Sequence, residues 1–124
     1  EMTYIRFENY GKGAAPKVSI SKIGRLSFNE MAEKKFGLSK YRFVSLLFDE
    51  TENKIGVEFF EKEARSDLLN IQFKPQSGFY ISIRAFLRFF QIEIKETAFY
   101  DVSKEKENFL VVDLNSKKIR QSRK

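Results

Sequence analysis

The chain states nearly the same pattern twice, and that repetition limits what it can fold into more than any other feature. The first copy runs Leu26-Ser27-Phe28, a short helix-like stretch ending Phe36-Gly37-Leu38, a strand to Phe48, a six-residue polar turn and a strand from Ile55. The second runs Ile81-Ser82-Ile83, a stretch ending Phe90-Gln91-Ile92, a strand to Val102, another six-residue polar turn and a strand from Phe109. Ser27 and Ser82 stand 55 positions apart, while Leu38/Ile92, Phe48/Val102 and Ile55/Phe109 stand 54 apart. Two half-size units in one chain imply a pseudo-twofold domain, the single-chain counterpart of a homodimer.

Local patterns fill in each unit. Val18-Ser19-Ile20 alternates at strand period, and Lys22-Ile23-Gly24-Arg25 reads as a turn. Ser27-Phe28-Asn29-Glu30 matches a capping box, with Phe28, Met31, Ala32 and Phe36 on one helical face and Gly37 as the stop. The helix spans only about nine residues and must be docked to persist. Strands are expected over 41–48 and 55–60, joined by the acidic turn 49–54. In the second unit Leu69, Ile71 and Phe73 alternate with polar residues, and Pro75-Gln76-Ser77-Gly78 turns. Ser82 is expected to cap a helix carrying Ile83, Phe86, Leu87 and Phe90, followed by strands at 97–102 and 109–114. The runs at 44–48 and 109–112 are apolar on both sides and suit strands covered on both faces.

The expected fold is a β-rich α+β domain. Tandem ββαββ units at 17–60 and 68–114 form a small barrel or a strongly curved antiparallel sheet with two short helices. A lead strand at 3–7 precedes them, a charged linker joins them, and residues 1–116 make one domain followed by a basic tail at 117–124. An open saddle with both helices on one face uses the same elements.

At 124 residues with fourteen Phe and five Tyr, a core can be buried without metal or disulfide staples. No apolar run reaches the roughly 18–20 residues that span a bilayer, and with no cysteine nothing calls for an oxidising compartment. A soluble cytoplasmic protein with no membrane partner is expected. Without histidine or cysteine, His-based triads, thiol nucleophiles and His or Cys metal clusters are excluded. The carboxylates sit mostly in polar turns, at Asp49, Glu50, Glu52, Glu105 and Glu107, where solvation accounts for them. Gly11-Lys12-Gly13 lacks the Gly-Lys-Ser/Thr ending of a phosphate-binding loop. No enzyme, cofactor, metal or small-molecule substrate is expected.

Gly24-Arg25-Leu26-Ser27-Phe28, the short helix to Phe36-Gly37-Leu38, Val44-Ser45-Leu46 with Asp49, and Ile55-Gly56-Val57 together resemble the AbrB/MazE/SpoVT family. That resemblance implies interlocked ββαββ units forming a swapped-hairpin barrel that binds DNA, with basic side chains on the first hairpin and short helix. In the MraZ branch one chain carries both units. Double-psi barrels, built from a similar duplicated unit, bind proteins or substrates instead. The chain departs from the family at Asn29, where proline is usual, and at Glu33 and Lys34, where an arginine pair is usual. Its second unit lacks the Gly-Arg turn.

Two functional readings follow. A non-enzymatic nucleic-acid-binding, transcription-regulating protein would contact DNA or RNA through Arg25, Lys34, Lys35 and the tail cations Lys117, Lys118, Arg120, Arg123 and Lys124. Removing those five tail cations from the 23 basic residues leaves 18 against 17 acids, so the first 116 residues carry a net of only +1. The near-neutral body and the surplus of Phe favour the other reading, a protein-interaction or assembly module that binds itself or another protein. Arg88 and Phe89 mark its interface. Tyr4, Tyr10, Tyr41, Tyr80 and Tyr100 with interspersed Arg suggest stacking of single-stranded nucleic acid, although strand packing explains most of them.

Overall fold

A computed structural model describes residues 16–74 and 77–119; the lead strand expected at 3–7 lies outside them. The elements are β1 (Val18–Ile20), β2 (Arg25–Phe28), α1 (Glu30–Lys35), β3 (Phe43–Asp49) and β4 (Lys54–Phe60). After these come β5 (Leu69–Asn70), β6 (Gln72–Lys74), β7 (Gly78–Ser82), α2 (Arg84–Phe89), β8 (Ala98–Lys106) and β9 (Phe109–Ile119). All strands pair antiparallel in one sheet ordered β5-β3-β4-β9-β8-β1-β2-β7-β6. The two edge strands, β5 and β6, are consecutive in the chain and separated by Ile71 alone. One short segment therefore pairs with β3 at its start and β7 at its end. The result is a strand-rich, nearly closed barrel with two short helices, which leaves almost no free edge for pairing.

Period-two alternation drives this closure. Val18 and Ile20, Leu26 and Phe28, Ile55, Val57 and Phe59, Phe79 and Ile81, and Leu110 and Val112 are all buried inside. Each large apolar side chain so removed from water contributes roughly 1.5–3 kcal/mol. The interior centres on three rings. Phe28 stacks on Phe79 with centroids 4.7 Å apart, and both meet Phe59 edge-on at 6.2 and 6.3 Å. These contacts join β2 and β7 to β4 on the opposite wall.

Several local signals resolve differently in the fold. Each helix has six residues rather than nine. Ser27 does not cap α1: it lies within β2, opposite Ser19 and Tyr80. The cap is Asn29, whose Oδ1 accepts from Ala32 N at 2.8 Å and from Lys17 N at 3.0 Å. Asn29 N in turn donates to the Lys17 carbonyl at 3.1 Å. A proline here, lacking both side-chain oxygen and N–H, makes none of these bonds. Such a cap is worth about 1 kcal/mol, and this one also fastens the entry of β1 to α1. Ser82 does not cap α2 either, because it is held in the sheet opposite Arg25 and the cap position belongs to Ile83, with no side-chain bond. The Ile83 N–H instead donates to the Gly24 carbonyl at 2.8 Å.

The helix ends follow the expected stop. Gly37 (φ 64°) and Gln91 (φ 56°) are both left-handed. In α1 the Gly37 and Leu38 amides donate to the Lys34 and Glu33 carbonyls, and in α2 the Gln91 and Ile92 amides donate to Arg88 and Leu87. This paired pattern satisfies the last carbonyls of each helix. The second polar turn is shorter than its sequence suggests. The strand β8 continues through the charged residues to Lys106, so only Glu107 and Asn108 turn. Inward residues in β9 are Leu110 and Val112, and Phe109 lies outside over Gly56. Phe48 pairs with Ile55 but Val102 pairs with Val112, so the expected Phe48/Val102 and Ile55/Phe109 equivalences do not hold together. Nor is β3 covered on both faces: Leu47 points outward and is exposed. The strand expected through Ile71 breaks there, because its two halves pair with different partners.

Candidate functional site

Charge is distributed unevenly around the barrel. From Lys17 to Phe28, and again from Leu68 to Ile92, the sequence contains no carboxylate. These segments supply β1, β2, β6, β7 and α2, and the four strands are consecutive in the sheet. They bring Lys17, Lys22, Arg25, Lys74, Arg84 and Arg88 to one side. Acids gather instead in turns, at Asp49, Glu50 and Glu52 between β3 and β4 and at Glu105 and Glu107 near the β8–β9 turn, where Lys104 and Lys106 alternate with them. Phe86 and Phe90 pack α2 on Phe48 beside the first of these turns. An open cleft of about 940 Å³ lies between the two turns, lined by Leu47, Gly56, Phe109 and Val111 and by Phe90 at the end of α2, with charges of both signs along it, among them Asp49, Glu50, Lys54 and Lys106.

The outward side chains of the cationic side form a continuous row. Lys118, Phe99, Ser19, Ser27, Tyr80 and Gln72 are successive neighbours across β9, β8, β1, β2, β7 and β6. Cations lie over both rings of this row. The Arg25 guanidinium is 4.3 Å from the Tyr80 centroid and Lys74 Nζ is 5.2 Å from the same ring. Lys17 Nζ is 5.2 Å from the Phe99 centroid. Ser19 and Ser27 leave a shallow strip between the two rings. Asp101, which follows on β8, is answered by Lys118 at 3.1 Å.

Two glycines tie the hairpins to the helices. Gly24 (φ 85°) brings the β1–β2 turn against α2, where an added Cβ would lie 3.0 Å from Arg84 Cα. Gly78 (φ 85°) brings the start of β7 against Phe28 and Asn29 at the entry to α1. Only glycine accepts both the left-handed backbone and the close approach. Arg25 and Arg84 are therefore fixed near one another by backbone contacts.

The predicted residues fall in several places. Arg25 is exposed on β2, stacked on Tyr80, with its amide donating to Ser21 Oγ at 3.2 Å. Lys34 is exposed at the end of α1 and pairs with Glu30 at 3.7 Å; Lys35 lies 5.6 Å from the Phe36 ring. Lys117 and Lys118 stand in the last part of β9, while Arg120, Arg123 and Lys124 lie outside the described residues. Phe89 is 78% exposed on α2 beside the exposed Arg88, and Ile23 at the β1–β2 turn is 61% exposed. Sequence reasoning passed over Lys17, Lys22, Lys74, Arg84 and Phe99. The stretches without a carboxylate were the available signal for them.

Elsewhere Lys40 is drawn toward Glu107 at 3.4 Å and Glu61 at 4.0 Å. The neighbouring Tyr41 first, and then these carboxylates, hold its ammonium above its ordinary range. Burial pushes the Tyr100 phenol up. Among the described residues no cluster of acids could hold a metal ion, and no helix is long and apolar enough to cross a membrane. No family model, curated protein or solved structure matches the chain.

Proposed function

We propose that the protein is a non-enzymatic nucleic-acid-binding protein built as a duplicated swapped-hairpin barrel, a reading that fits a regulatory role. The observation that carries the binding reading is the carboxylate-free sector β1–β2–β7–β6 with α2. A cationic surface without interspersed acids attracts a polyanion and releases its counterions. Arg25 and Arg84 form its centre. Lys34 and Lys35 extend it along α1, which packs against β2 and β7, and Lys118 extends it from β9 beside Phe99. Lys117 also stands on β9, and Arg120, Arg123 and Lys124 complete the expected contacts from outside the described residues.

The strand pairing supports the duplication. Exchanging β1–β2 with β5/β6–β7 and β3–β4 with β8–β9 preserves the pairings: β1–β8 becomes β3–β5, while β2–β7 and β4–β9 map onto themselves. Gly24 and Gly78 share φ 85° and stand 54 apart, as do the left-handed Gly37 and Gln91. Each first hairpin thus pairs with the second hairpin of the other unit, which is the interlocking that the AbrB/MazE/SpoVT resemblance implies.

Electrophoretic mobility shift across a salt series tests the binding reading. Affinity should fall steeply as salt rises, and Arg25→Glu with Arg84→Glu should remove most of it, at least tenfold. Asp49→Ala should change little. Absence of any shift at low salt, or complete loss of binding on deleting only residues 120–124, contradicts the proposal.

The 78% exposure of Phe89 favours a second reading, a protein-interaction module whose interface is Arg88 and Phe89. Sedimentation velocity at high concentration should then detect an oligomer that Phe89→Ala dissolves. A strict monomer that captures no partner argues against it.

A further inference from the structure

The geometry points to single-stranded nucleic acid, rather than a duplex, as the ligand of the cationic face, with Tyr80 and Phe99 as its two base-stacking platforms. This inference rests on the nucleic-acid-binding reading and names its substrate class.

Reading a duplex requires an element that enters a groove, such as a protruding helix or a two-stranded ribbon. The strip between the two rings offers neither. Both helices have six residues, and between the two rings the sheet carries only Ser19 and Ser27. A shallow strip bounded by aromatic rings suits unstacked bases instead, since every base has a flat face and stacking tolerates any sequence. Tyr80 is half-buried with Arg25 lying over it at 4.3 Å. The guanidinium plane extends the stack outward, and arginine planes accept bases as aromatic rings do. Phe99, likewise half-buried, has Lys17 above it. A base arriving on Phe99 displaces the Lys17 ammonium sideways, where it meets the flanking phosphate.

The spacing also fits. Phe99 and Tyr80 are three strand-to-strand steps apart, from β8 through β1 and β2 to β7. At about 4.8 Å per step that is roughly 14 Å along the backbone, and the rings stand further apart on the outside of the barrel. A single strand rising about 3.4 Å per stacked nucleotide needs at least about four nucleotides to follow this path, and an extended strand covers the wider arc with few more. Lys118 and Lys74 flank the path at its two ends. Asp101, the acid adjoining it, is paired with Lys118.

Fluorescence anisotropy tests this with the full chain, a labelled twelve-nucleotide oligo-dT and oligo-U, and a mixed-sequence duplex of equal length. The single strands should bind at least tenfold more tightly than the duplex. Tyr80→Ala and Phe99→Ala should each weaken single-strand binding by about tenfold, and Tyr80→Phe should preserve it. Arg25→Lys keeps the charge but loses the planar face, so it should weaken single-strand binding and leave the duplex unaffected. Thermal melts confirm that each variant folds, and Arg25→Lys, a surface change, keeps the test decisive if an alanine variant does not. Duplex binding equal to or tighter than single-strand binding overturns the inference while leaving nucleic-acid binding intact. Binding unaffected by Tyr80→Ala, Phe99→Ala and Arg25→Lys overturns it too. Failure of all probes to bind instead removes the reading beneath it.

Discussion

Replacing Gly78 with alanine should destabilise the protein by about 3–5 kcal/mol, combining left-handed backbone strain with overpacking. Gly78 sits at φ 85°, and an added Cβ there would overlap the Phe28 carbonyl oxygen and lie 2.7 Å from the Asn29 carbonyl carbon. Backbone on both sides cannot move aside without parting β7 from the β2–α1 junction. Gly37 supplies the control, because it is also left-handed at φ 64° but an added Cβ meets nothing within 4 Å. Gly37→Ala should cost only about 1 kcal/mol, the strain alone. Thermal melts should place Gly78→Ala roughly 10–20 °C below the parent, with Gly37→Ala within a few degrees. Equal losses at the two positions mean that Gly78 is not pressed against the start of α1.

That contact shows which parts of the fold were readable from the chain. Alternation at Val18–Ile20, Leu26–Phe28 and Phe79–Ile81 identified strands because period two places every second side chain inside. The stop at Gly37 was legible because its left-handed backbone favours glycine. The same stop at Gln91 was visible only through the parallel between the two halves. The caps were not legible. Ser27 satisfied the capping motif, but pairing opposite Ser19 and Tyr80 kept it in the sheet and passed the role to Asn29. In β8, Ser103 to Lys106 read as a polar turn because none of these side chains is buried. Pairing with Leu110 and Val111 holds them extended nonetheless. A strand lying partly beyond the core leaves no hydrophobic signature.

The candidate site was half legible for a related reason. Arg25 was found because it stands in a recognisable turn. Tyr80, 55 residues away, meets it only through the β2–β7 pairing, and Lys74 reaches the same ring from β6. Net charge misled as well. A body near neutrality overall contains a carboxylate-free sector once the strand order is known, because β1, β2, β7 and β6 come from distant segments but are consecutive in the sheet. Whether a charge faces a ligand is decided by topology, which composition does not contain.

Phe28→Ala should be among the most damaging changes in the interior, costing about 4–5 kcal/mol, the upper part of the range of about 3–5 for deleting a buried phenylalanine, because its ring also makes specific aromatic contacts. Phe28 is fully buried and makes two such contacts, stacking on Phe79 at 4.7 Å and meeting Phe59 at 6.2 Å. Its removal opens a cavity between walls that have no other means of approaching, since the strands around it are already paired. The loss should reach function as well, because Phe28 and Phe79 support the β2–β7 pair that carries Arg25 and Tyr80 outside. Phe28→Leu refills part of the volume and should recover about half of the stability. Phe89→Ala, at a ring 78% exposed, should stay within about 0.5 kcal/mol of the parent. Urea unfolding followed by tyrosine fluorescence measures all three. If Phe28→Ala proves no worse than Phe89→Ala, the three rings do not join the walls, and the cationic face has no common core beneath it to hold its strands in register.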